Sequence, residues 1–401
     1  MHDAYLYDGI RTPFGRHGGS LAGVRPDNLM SLTLKHLVER SAFSAEAYED
    51  VLVGCTNQAG EDARNVARHA ALLAGLPVET AGQTVNRLCG SGLAAILDAA
   101  RATRGGEGEL FLAGGVESMS RAPYVLGKAE SAYARNQALY DSVIGARFPN
   151  PWIGQQYGNH SMPETADNVA RDLAIGREAA DEYAALSQSR YARALERGFY
   201  EEELLIVEVN QGRKKPPLLF DQDEHPRLGT SAEKLGRLPP LFEDGVVSAG
   251  NASGINDGAA AMIVGSLSMG EKAGVKPRGR IVSGAVAGVA PRVMGLGPVP
   301  ASQKALARAG LSLNQMDLIE INEAFAVQVL GCVQQLKISP DDSRLNPNGG
   351  AIAIGHPLGA SGARLVLTAL RQLEASEGRY ALVTMCIGVG QGIAMVIERT
   401  T

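Results

Sequence analysis

Short apolar segments of strand length alternate with helical segments along most of the chain, and this alternation is the feature that most constrains its fold. In the first part, strand patterns at residues 4–8, 51–55 and 109–114 are separated by segments with helical spacing. The alternation of strand and helix patterns resumes near residue 259 and continues to the last apolar run, residues 381–397. Strands that alternate with helices form a sheet covered by helices on both faces, so the pattern predicts an α/β fold.

A glycine-rich turn opens a small-residue helix twice in the chain. The first instance is CGSGLAAILDAA at residues 89–100, and the second is GHPLGASGARL at residues 355–365. Each follows strand-like residues and is itself followed by an apolar strand. This correspondence predicts an internal duplication into two similar α/β halves.

A long stretch between the two halves has a different amino-acid composition. Residues 118–250 are richer in proline, polar and charged residues and hold the only tryptophan, Trp152. We expect the first half to comprise residues 1–117 and 251–272 and the second half residues 273–401. The intervening stretch is expected to be a loop domain that carries helices and binding loops.

Composition excludes several classes of protein. The net charge of −5 gives no basic surface for nucleic acid or an anionic membrane. Four widely spaced cysteines with no CxxC pair argue against a disulfide scaffold or a zinc site, so we expect free thiols and no metal. The run at residues 381–397 carries Gln391 and three glycines, which predicts two buried strands around a turn rather than a membrane span. These features favour the cytoplasm.

Two residues beside the glycine-rich turns are candidates for chemistry. Cys89 lies between a predicted strand and a helix start, where the helix dipole would favour the thiolate. An inert buried thiol is the alternative. His356 follows the strand-like AIAI at residues 351–354 and is flanked by glycines, which permit close approach of a substrate. A purely structural histidine is the alternative there.

Two further candidates end apolar strands. Cys386 is followed by glycines at 388, 390 and 392 and is either a core thiol or a second acid/base near Cys89 and His356. Asn322 ends a strand and begins a helix, so it either caps that helix or holds a water in an oxyanion site.

Taken in order, TVNRLCGSGLAA, NEAFA, NPNGGAIAIGHPLGASGARL and MCIGVGQG resemble the thiolases, over essentially the whole chain. The resemblance implies a duplicated fold whose halves each hold a five-stranded mixed sheet, packed in α-β-α-β-α layers. It implies Cys89 as the nucleophile of an acyl-thioester enzyme, His356 as its activator and Cys386 as the acid/base at the acetyl carbon. One oxyanion site would use the backbone N–H groups of Cys89 and Gly388, and the other would use His356 with a water held by Asn322.

The resemblance also implies the substrates. These are CoA and a 3-oxoacyl-CoA, with no permanently bound cofactor, and thiolysis is reversible by Claisen condensation. Residues expected to contact CoA are Met162, Arg227, Ala249, Ser253, Ala324 and Phe325.

The acyl chain is expected to be that of 3-oxoadipyl-CoA, with acetoacetyl-CoA or a broad range of 3-oxoacyl chains as alternatives. Short-chain biosynthetic thiolases usually carry a His-Met pair where this chain has Ser161-Met162-Pro163, so the acyl pocket should differ. A dicarboxylic chain needs a cation for its far carboxylate, and the candidates are Arg147, His160 and Arg16.

Two other classes of function are possible. A decarboxylating ketoacyl synthase would share the duplicated architecture, but such enzymes generally need additional catalytic histidines, whereas this chain offers His356 and a second cysteine. A CoA-ester-binding subunit without catalysis is disfavoured by the intact candidate residues. The family resemblance further implies a homotetramer built from two dimers, with residues 118–141 as the assembly loop and residues 118–250 serving both CoA binding and oligomerisation.

Overall fold

The computed structural model describes residues 3–143 and 145–400. Their β-strands are β1 (Ala4–Arg11), β2 (Gly15–Arg16), β3 (Asp50–Gly54), β4 (Ala81–Val85), β5 (Leu110–Ser118), β6 (Tyr124–Leu126), β7 (Leu139–Asp141), β8 (Val207–Val209), β9 (Leu218–Phe220), β10 (Asn256–Gly265), β11 (Gly279–Gly288), β12 (Leu318–Ile321), β13 (Tyr380–Ile387) and β14 (Gln391–Arg399). Their α-helices are α1 (Pro26–Arg40), α2 (Val66–Leu73), α3 (Ser91–Gly105), α4 (Pro151–Tyr157), α5 (Met162–Asp172), α6 (Arg177–Glu196), α7 (Ala232–Gly236), α8 (Leu267–Ala273), α9 (Pro298–Ala309), α10 (Ala326–Leu336), α11 (Ala351–Ile354) and α12 (Leu358–Ala375).

The two halves share one strand order, which confirms the predicted duplication. The first half reads β4-β3-β5-β10-β1, and the second reads β12-β13-β14-β11. In the second half, Leu345 extends the order through a single parallel bridge to Ile319 on β12. If the strands of each half are numbered in chain order, with Leu345 counted as the third strand of the second half, both halves have the spatial order third, second, fourth, fifth, first.

The sheet differs in two respects from two separate five-stranded sheets. The third strand of the second half is reduced to the bridge at Leu345, so that half contributes four full strands. In addition, β1 pairs antiparallel with β11 through Ala4–Ile281 and its neighbours, which joins both sets into one continuous sheet. The α/β fold itself is as predicted.

Three apolar cores show how the layers stack. Along β10, Ala260, Met262 and Val264 pack into a central core with α3 and α12, while the alternate residues pack into an outer core with α1 and α2. Strands β13 and β14 divide their residues in the same way between the central core and a third core that contains α9 and α10. Because successive side chains on a strand face opposite ways, α3 and α12 form the middle layer of the predicted α-β-α-β-α stack.

Glycines let the two central helices approach closely. A Cβ atom at Gly92 on α3 would lie 2.5 Å from the carbonyl oxygen of Gly359 on α12. A Cβ atom at Gly362 would lie 2.3 Å from the backbone nitrogen of Leu93. Part of the glycine content is therefore required by backbone packing at the centre of the molecule.

A buried ion cluster ties the stretch between the halves to the first half. The Arg11 guanidinium on β1 lies 2.7 Å from a carboxylate oxygen of Glu203 and 2.7 Å from one of Asp223. All three side chains are buried. This stretch also holds the hairpins β6–β7 and β8–β9 and helices α4 to α7. The boundaries predicted for the loop domain, residues 118–250, stay a prediction.

Two local expectations have different outcomes. Residues 351–354, predicted as a strand, form the one-turn helix α11, in which the N–H groups of Ala353 and Ile354 donate to the Gly350 carbonyl. All four residues are buried, and a short apolar run has no periodicity that separates strand from helix. The run at residues 381–397 forms β13 and β14 around a turn, as predicted. Within the described residues, we find no helix with the length and apolar character that a membrane crossing requires.

Candidate active site

Cys89 lies in a tightly bonded loop between β4 and α3, here called the nucleophile loop and defined as residues 86–91. The residue before it, Leu88, has a left-handed backbone with φ of 46°, a conformation that costs free energy for a leucine. Its carbonyl accepts hydrogen bonds from the hydroxyls of Ser91 (2.6 Å) and Thr56 (3.1 Å). The surrounding bonds thus hold Cys89 in a strained turn of fixed geometry.

The backbone N–H groups of Gly388 and of Cys89 itself are directed at the Cys89 sulfur. Burial raises the pKa of the Cys89 thiol, and these two N–H groups oppose the rise only in part. The expected thiolate-favouring shift is therefore wrong for the free enzyme, because desolvation outweighs the N–H groups at the helix start. A Cβ atom at Gly388 would lie 3.3 Å from the Leu88 side chain and 3.8 Å from the Met162 sulfur, so both side chains lie beside the residue whose N–H is directed at the thiol.

A raised thiol pKa predicts a specific pH dependence of labelling. We expect the alkylation rate of Cys89 by iodoacetamide to rise about tenfold per pH unit between about pH 7 and pH 9, with no plateau in that range. Mass spectrometry of the peptide containing Cys89 measures the rate, and Cys89→Ala provides the blank. A plateau below about pH 8 would instead mean that the free enzyme holds a thiolate.

His356 is buried in a defined hydrogen-bonded setting. Its Nδ1 lies 2.6 Å from the Ser361 hydroxyl, and that hydroxyl donates to the Pro357 carbonyl. The hydroxyl is thus left to accept from Nδ1–H, which leaves Nε2 without a proton. Burial, with a smaller contribution from the Arg364 charge, lowers the pKa of His356 to about 3. The ring is neutral near pH 7, and its free lone pair is on Nε2.

The Asn322 amide nitrogen lies 3.4 Å from His356 Nε2. Helix α10 begins at Ala326 with Phe325 at its N-cap position, so Asn322 does not cap that helix. Its side-chain oxygen is buried and accepts no hydrogen bond from the residues that the structure describes. The structure therefore excludes the capping interpretation and leaves the amide oriented toward the histidine.

Cys386 is buried near the end of β13, and its thiol lies close enough to Cys89 for the two charges to interact. Burial raises the pKa of Cys386 well above the ordinary thiol value, and the neighbouring Cys89 and Cys332 raise it further. A thiol of such high pKa holds its proton firmly, as a proton donor to a carbanion must. Cys55 and Cys332 are also buried, and burial raises the pKa of each thiol, which fits a packing role for both.

The starts of α3 and α12 bring the two loops together. Cys89 precedes α3 by two residues and His356 precedes α12 by two, and these helices touch at their first turns. The buried Glu117 carboxylate accepts hydrogen bonds from the N–H groups of Thr56 (3.1 Å) and Gly359 (2.8 Å), which links the two sides. Among the described residues, the His356 ring bonds to Asn322 and Ser361, and proton transfer from Cys89 stays a prediction.

Three positioning residues were missed by sequence reasoning. Ser361 orients the histidine ring, Asn256 accepts the His356 backbone N–H at 2.9 Å, and Glu117 joins the loops. Burial raises the pKa of Glu117 to about 7, against the lowering effect of the N–H groups that it accepts. Ser361 lies in the quoted GASG segment and Asn256 in INDG, but only the fold shows what their side chains contact.

Some of the predicted CoA contacts are brought together. The Ser253 N–H donates to the Ala324 carbonyl at 2.9 Å, and Ala252 forms an isolated β-bridge with Phe325. Ala324 and Phe325 are largely buried beneath this loop.

The other predicted CoA contacts lie around this segment. Ala249 and Arg227 are exposed, and the Arg227 backbone N–H donates to Gln188 on α6. Met162 begins α5 and lies beside Gly388. All six residues as CoA contacts stay a prediction.

The three cations proposed for a far carboxylate have different surroundings. Arg16 is 55% exposed and pairs with Glu224 at 3.5 Å. His160 is exposed next to α5. Arg147 is half-buried and bonds to the backbone carbonyls of Ser142 and Asn57.

One cluster has the composition of a metal site. Cys55, Asp62 and Glu117 place ligand atoms within 4.8 Å of one another. Their acceptors are already engaged: the Cys55 thiol bonds Asp62, which also accepts the Gly60 N–H, and Glu117 accepts three backbone N–H groups. The expectation of no metal stays a prediction.

Comparison with known proteins assigns the family. The model of the thiolase N-terminal domain matches residues 4–268, and that of the thiolase C-terminal domain matches residues 275–399. The chain belongs to the thiolase family. It is 56% identical to the beta-ketoadipyl-CoA thiolase of Escherichia coli over 401 residues, which is the whole of both chains. It is 44% identical to the acetyl-CoA acetyltransferase of Escherichia coli K12 over 402 residues, again the whole of both chains.

A solved thiolase-family structure has the same fold. The acetyl-CoA acetyltransferase of Bacillus anthracis superimposes with a TM-score of 0.93 at 36% identity and covers 100% of this chain and 99% of its own. The predicted thiolase family is confirmed, and the protein is an acyltransferase that acts on acyl-CoA and CoA. Family membership also decides against the ketoacyl synthase alternative.

Proposed function

We propose that this thiolase cleaves 3-oxoadipyl-CoA with CoA to give succinyl-CoA and acetyl-CoA, and that it runs the reverse condensation. The observation that carries the substrate is the full-length identity of 56% to a beta-ketoadipyl-CoA thiolase, against 44% to an acetyl-CoA acetyltransferase. The sequence Ser161-Met162-Pro163, beside Gly388, supports an acyl pocket unlike that of short-chain members.

The proposed reaction begins at Cys89. His356 Nε2 accepts the Cys89 proton, and the sulfur attacks C3 of the substrate. The C2–C3 bond breaks, leaving a succinyl thioester on Cys89 and the enolate of acetyl-CoA. Cys386 protonates that enolate at carbon. Cys386, left as a thiolate, then takes the proton of the CoA thiol, whose sulfur attacks the thioester and releases succinyl-CoA. The departing Cys89 sulfur recovers its proton from His356, which returns all three groups to their starting states.

Two developing oxyanions need donors. The N–H groups of Cys89 and Gly388, already directed at the sulfur, suit the oxygen of the acyl group. For the thioester oxygen of the acetyl part, we assign His356 together with a water held by Asn322. The unsatisfied Asn322 oxygen supports this assignment, since it can accept a hydrogen bond from that water. Each donor is expected to contribute about 3 kcal/mol to the transition state.

We also propose a homotetramer in the cytoplasm. The predicted assembly loop exposes large apolar side chains: Tyr124 is 70% exposed, Tyr133 98% and Leu139 63%. Apolar surface of this kind is typical of an interface. Light scattering of the purified protein tests the state, and a monomer would overturn it.

A thiolysis panel tests the substrate. kcat/KM is measured with 3-oxoadipyl-CoA, acetoacetyl-CoA and a medium-chain 3-oxoacyl-CoA. We expect 3-oxoadipyl-CoA to be preferred by about tenfold or more, which is 1.4 kcal/mol of differential transition-state binding. A preference for acetoacetyl-CoA would replace the proposal with acetyl-CoA C-acetyltransferase, and equal values would indicate a broad-range thiolase.

A further inference from the structure

Arg147 carries a charge that the fold positions but does not neutralise. Its guanidinium donates to the carbonyl oxygens of Ser142 at 3.3 Å and Asn57 at 2.5 Å. Within the described residues it has no carboxylate partner. A guanidinium has five N–H donors, so three remain available. Both carbonyls belong to buried residues, and Asn57 Nδ2 donates to the Ser142 carbonyl at 2.9 Å, so the platform beneath Arg147 is rigid.

This platform adjoins the nucleophile loop. Asn57 follows Thr56, whose hydroxyl donates to the Leu88 carbonyl at 3.1 Å and whose own carbonyl accepts from Asn86 at 3.1 Å. Arg147 therefore donates to the carbonyl of Asn57. The preceding residue, Thr56, is hydrogen-bonded to the nucleophile loop on both sides of Arg87. A continuous path of hydrogen bonds and neighbouring residues thus joins the Arg147 guanidinium to the nucleophile loop that holds Cys89.

The acyl chain of the proposed substrate extends a carboxylate away from Cys89 by a length that its covalent structure sets. Two methylene groups separate C3 of a 3-oxoadipyl chain from its terminal carboxyl carbon, so the carboxylate oxygens lie about 5 Å from the carbon bonded to sulfur. A guanidinium adds about 3 Å through its hydrogen bonds. Its planar donors match a carboxylate with two parallel bonds.

We infer that Arg147 binds the far carboxylate of the acyl chain and makes this thiolase selective for dicarboxylic 3-oxoacyl-CoA substrates. This inference rests on the proposed function and names the residue that selects the proposed substrate. Arg16 is less suitable because Glu224 already pairs with it. Arg87 is near Cys89, but its guanidinium has no bond within the described residues that would hold it in place. A guanidinium that is already held in place loses less conformational freedom when it binds a carboxylate, which favours Arg147 over Arg87.

The test compares two substrates that differ only at the chain end. kcat/KM is measured with 3-oxoadipyl-CoA and with 3-oxohexanoyl-CoA, which has the same number of acyl carbons and no carboxylate. For Arg147→Gln we expect a loss of about 100-fold with 3-oxoadipyl-CoA and little change with 3-oxohexanoyl-CoA. Arg147→Lys should recover part of the loss. Arg16→Gln and His160→Ala replace the other candidate cations, serve as the controls and should keep the wild-type ratio.

The outcomes separate the two proposals. If the wild-type enzyme does not prefer 3-oxoadipyl-CoA over 3-oxohexanoyl-CoA, the proposed substrate is wrong. If the wild type discriminates and Arg147→Gln keeps the ratio, or loses both activities equally, the assignment of Arg147 is overturned. A selective loss in one of the control variants instead of Arg147→Gln would transfer the role to that residue. The neutral substrate also reports whether each variant is folded.

Discussion

Replacing Cys89 with alanine is expected to abolish acyl-enzyme formation and to lower kcat for thiolysis by about 10⁵-fold or more. The fold presents one partly accessible thiol to the site, Cys89, while Cys386 is buried behind it. In the proposed mechanism, alanine removes the sulfur that accepts the acyl group, and the Gly388 N–H cannot replace a nucleophile. We therefore expect the variant to lose the covalent reaction altogether rather than to carry it out more slowly.

The measurement is the intact mass of the protein after incubation with succinyl-CoA. Wild-type protein should gain the mass of one succinyl group, Cys89→Ala should gain nothing, and CoA should remove the adduct from the wild type. Cys332→Ala is a suitable control because Cys332 lies in the core of α10, where its thiol bonds the Gly295 carbonyl. Acylation of Cys89→Ala would exclude Cys89 as the nucleophile. A wild-type protein that binds acyl-CoA without acylation would be a non-catalytic CoA-ester-binding subunit.

The motifs predict that Cys89 and His356 each lie just before a helix, whereas the positioning residues Ser361, Asn256 and Glu117 could be found only from the fold. Cys89 and His356 each precede a helix of the central layer, and contact between those helices is what the duplication implies. Asn322 shows the limit of this reasoning. A position between a strand and a helix is compatible with helix capping and with contact to a histidine, and only the observed start of α10 at Ala326 separates them.

The protonation states of the site residues could not be predicted from local sequence. The start of α3 favours a thiolate at Cys89, but burial raises the pKa of its thiol, and the Gly388 N–H that opposes the rise comes from a distant part of the chain. Ser361 decides the tautomer of His356 through a hydroxyl proton whose destination depends on the Pro357 carbonyl. Such effects depend on three-dimensional neighbours, so the sequence names the groups without fixing their proton affinities.

The sheet shows a third limit. A five-stranded order is present in each half, yet the third strand of the second half is a single bridge at Leu345. The helix at residues 351–354 occupies the space just after this shortened strand.

Replacing Cys386 with alanine is expected to separate acyl transfer from carbon–carbon bond cleavage. Thioester exchange between succinyl-CoA and CoA needs Cys89 and its oxyanion donors, so its rate should stay within about threefold of wild type. Thiolysis of 3-oxoadipyl-CoA should fall by about 10³-fold, since the enolate loses its proton donor. The burial that raises the pKa of Cys386 makes its thiol a poor acid in the resting enzyme, but a carbanion is a far stronger base than a thiolate.

Two assays on the same Cys386→Ala protein measure this split: isotope exchange of CoA with succinyl-CoA, and cleavage of 3-oxoadipyl-CoA. A third readout follows deuterium entering the methyl group of acetyl-CoA in D₂O, which should stop in Cys386→Ala and continue in Cys332→Ala. Equal losses in exchange and cleavage would mean that Cys386 only supports the geometry around Cys89. Deuterium exchange that persists without Cys386 would exclude Cys386 as the carbon acid/base and would transfer that role to His356, whose Nε2 carries no proton.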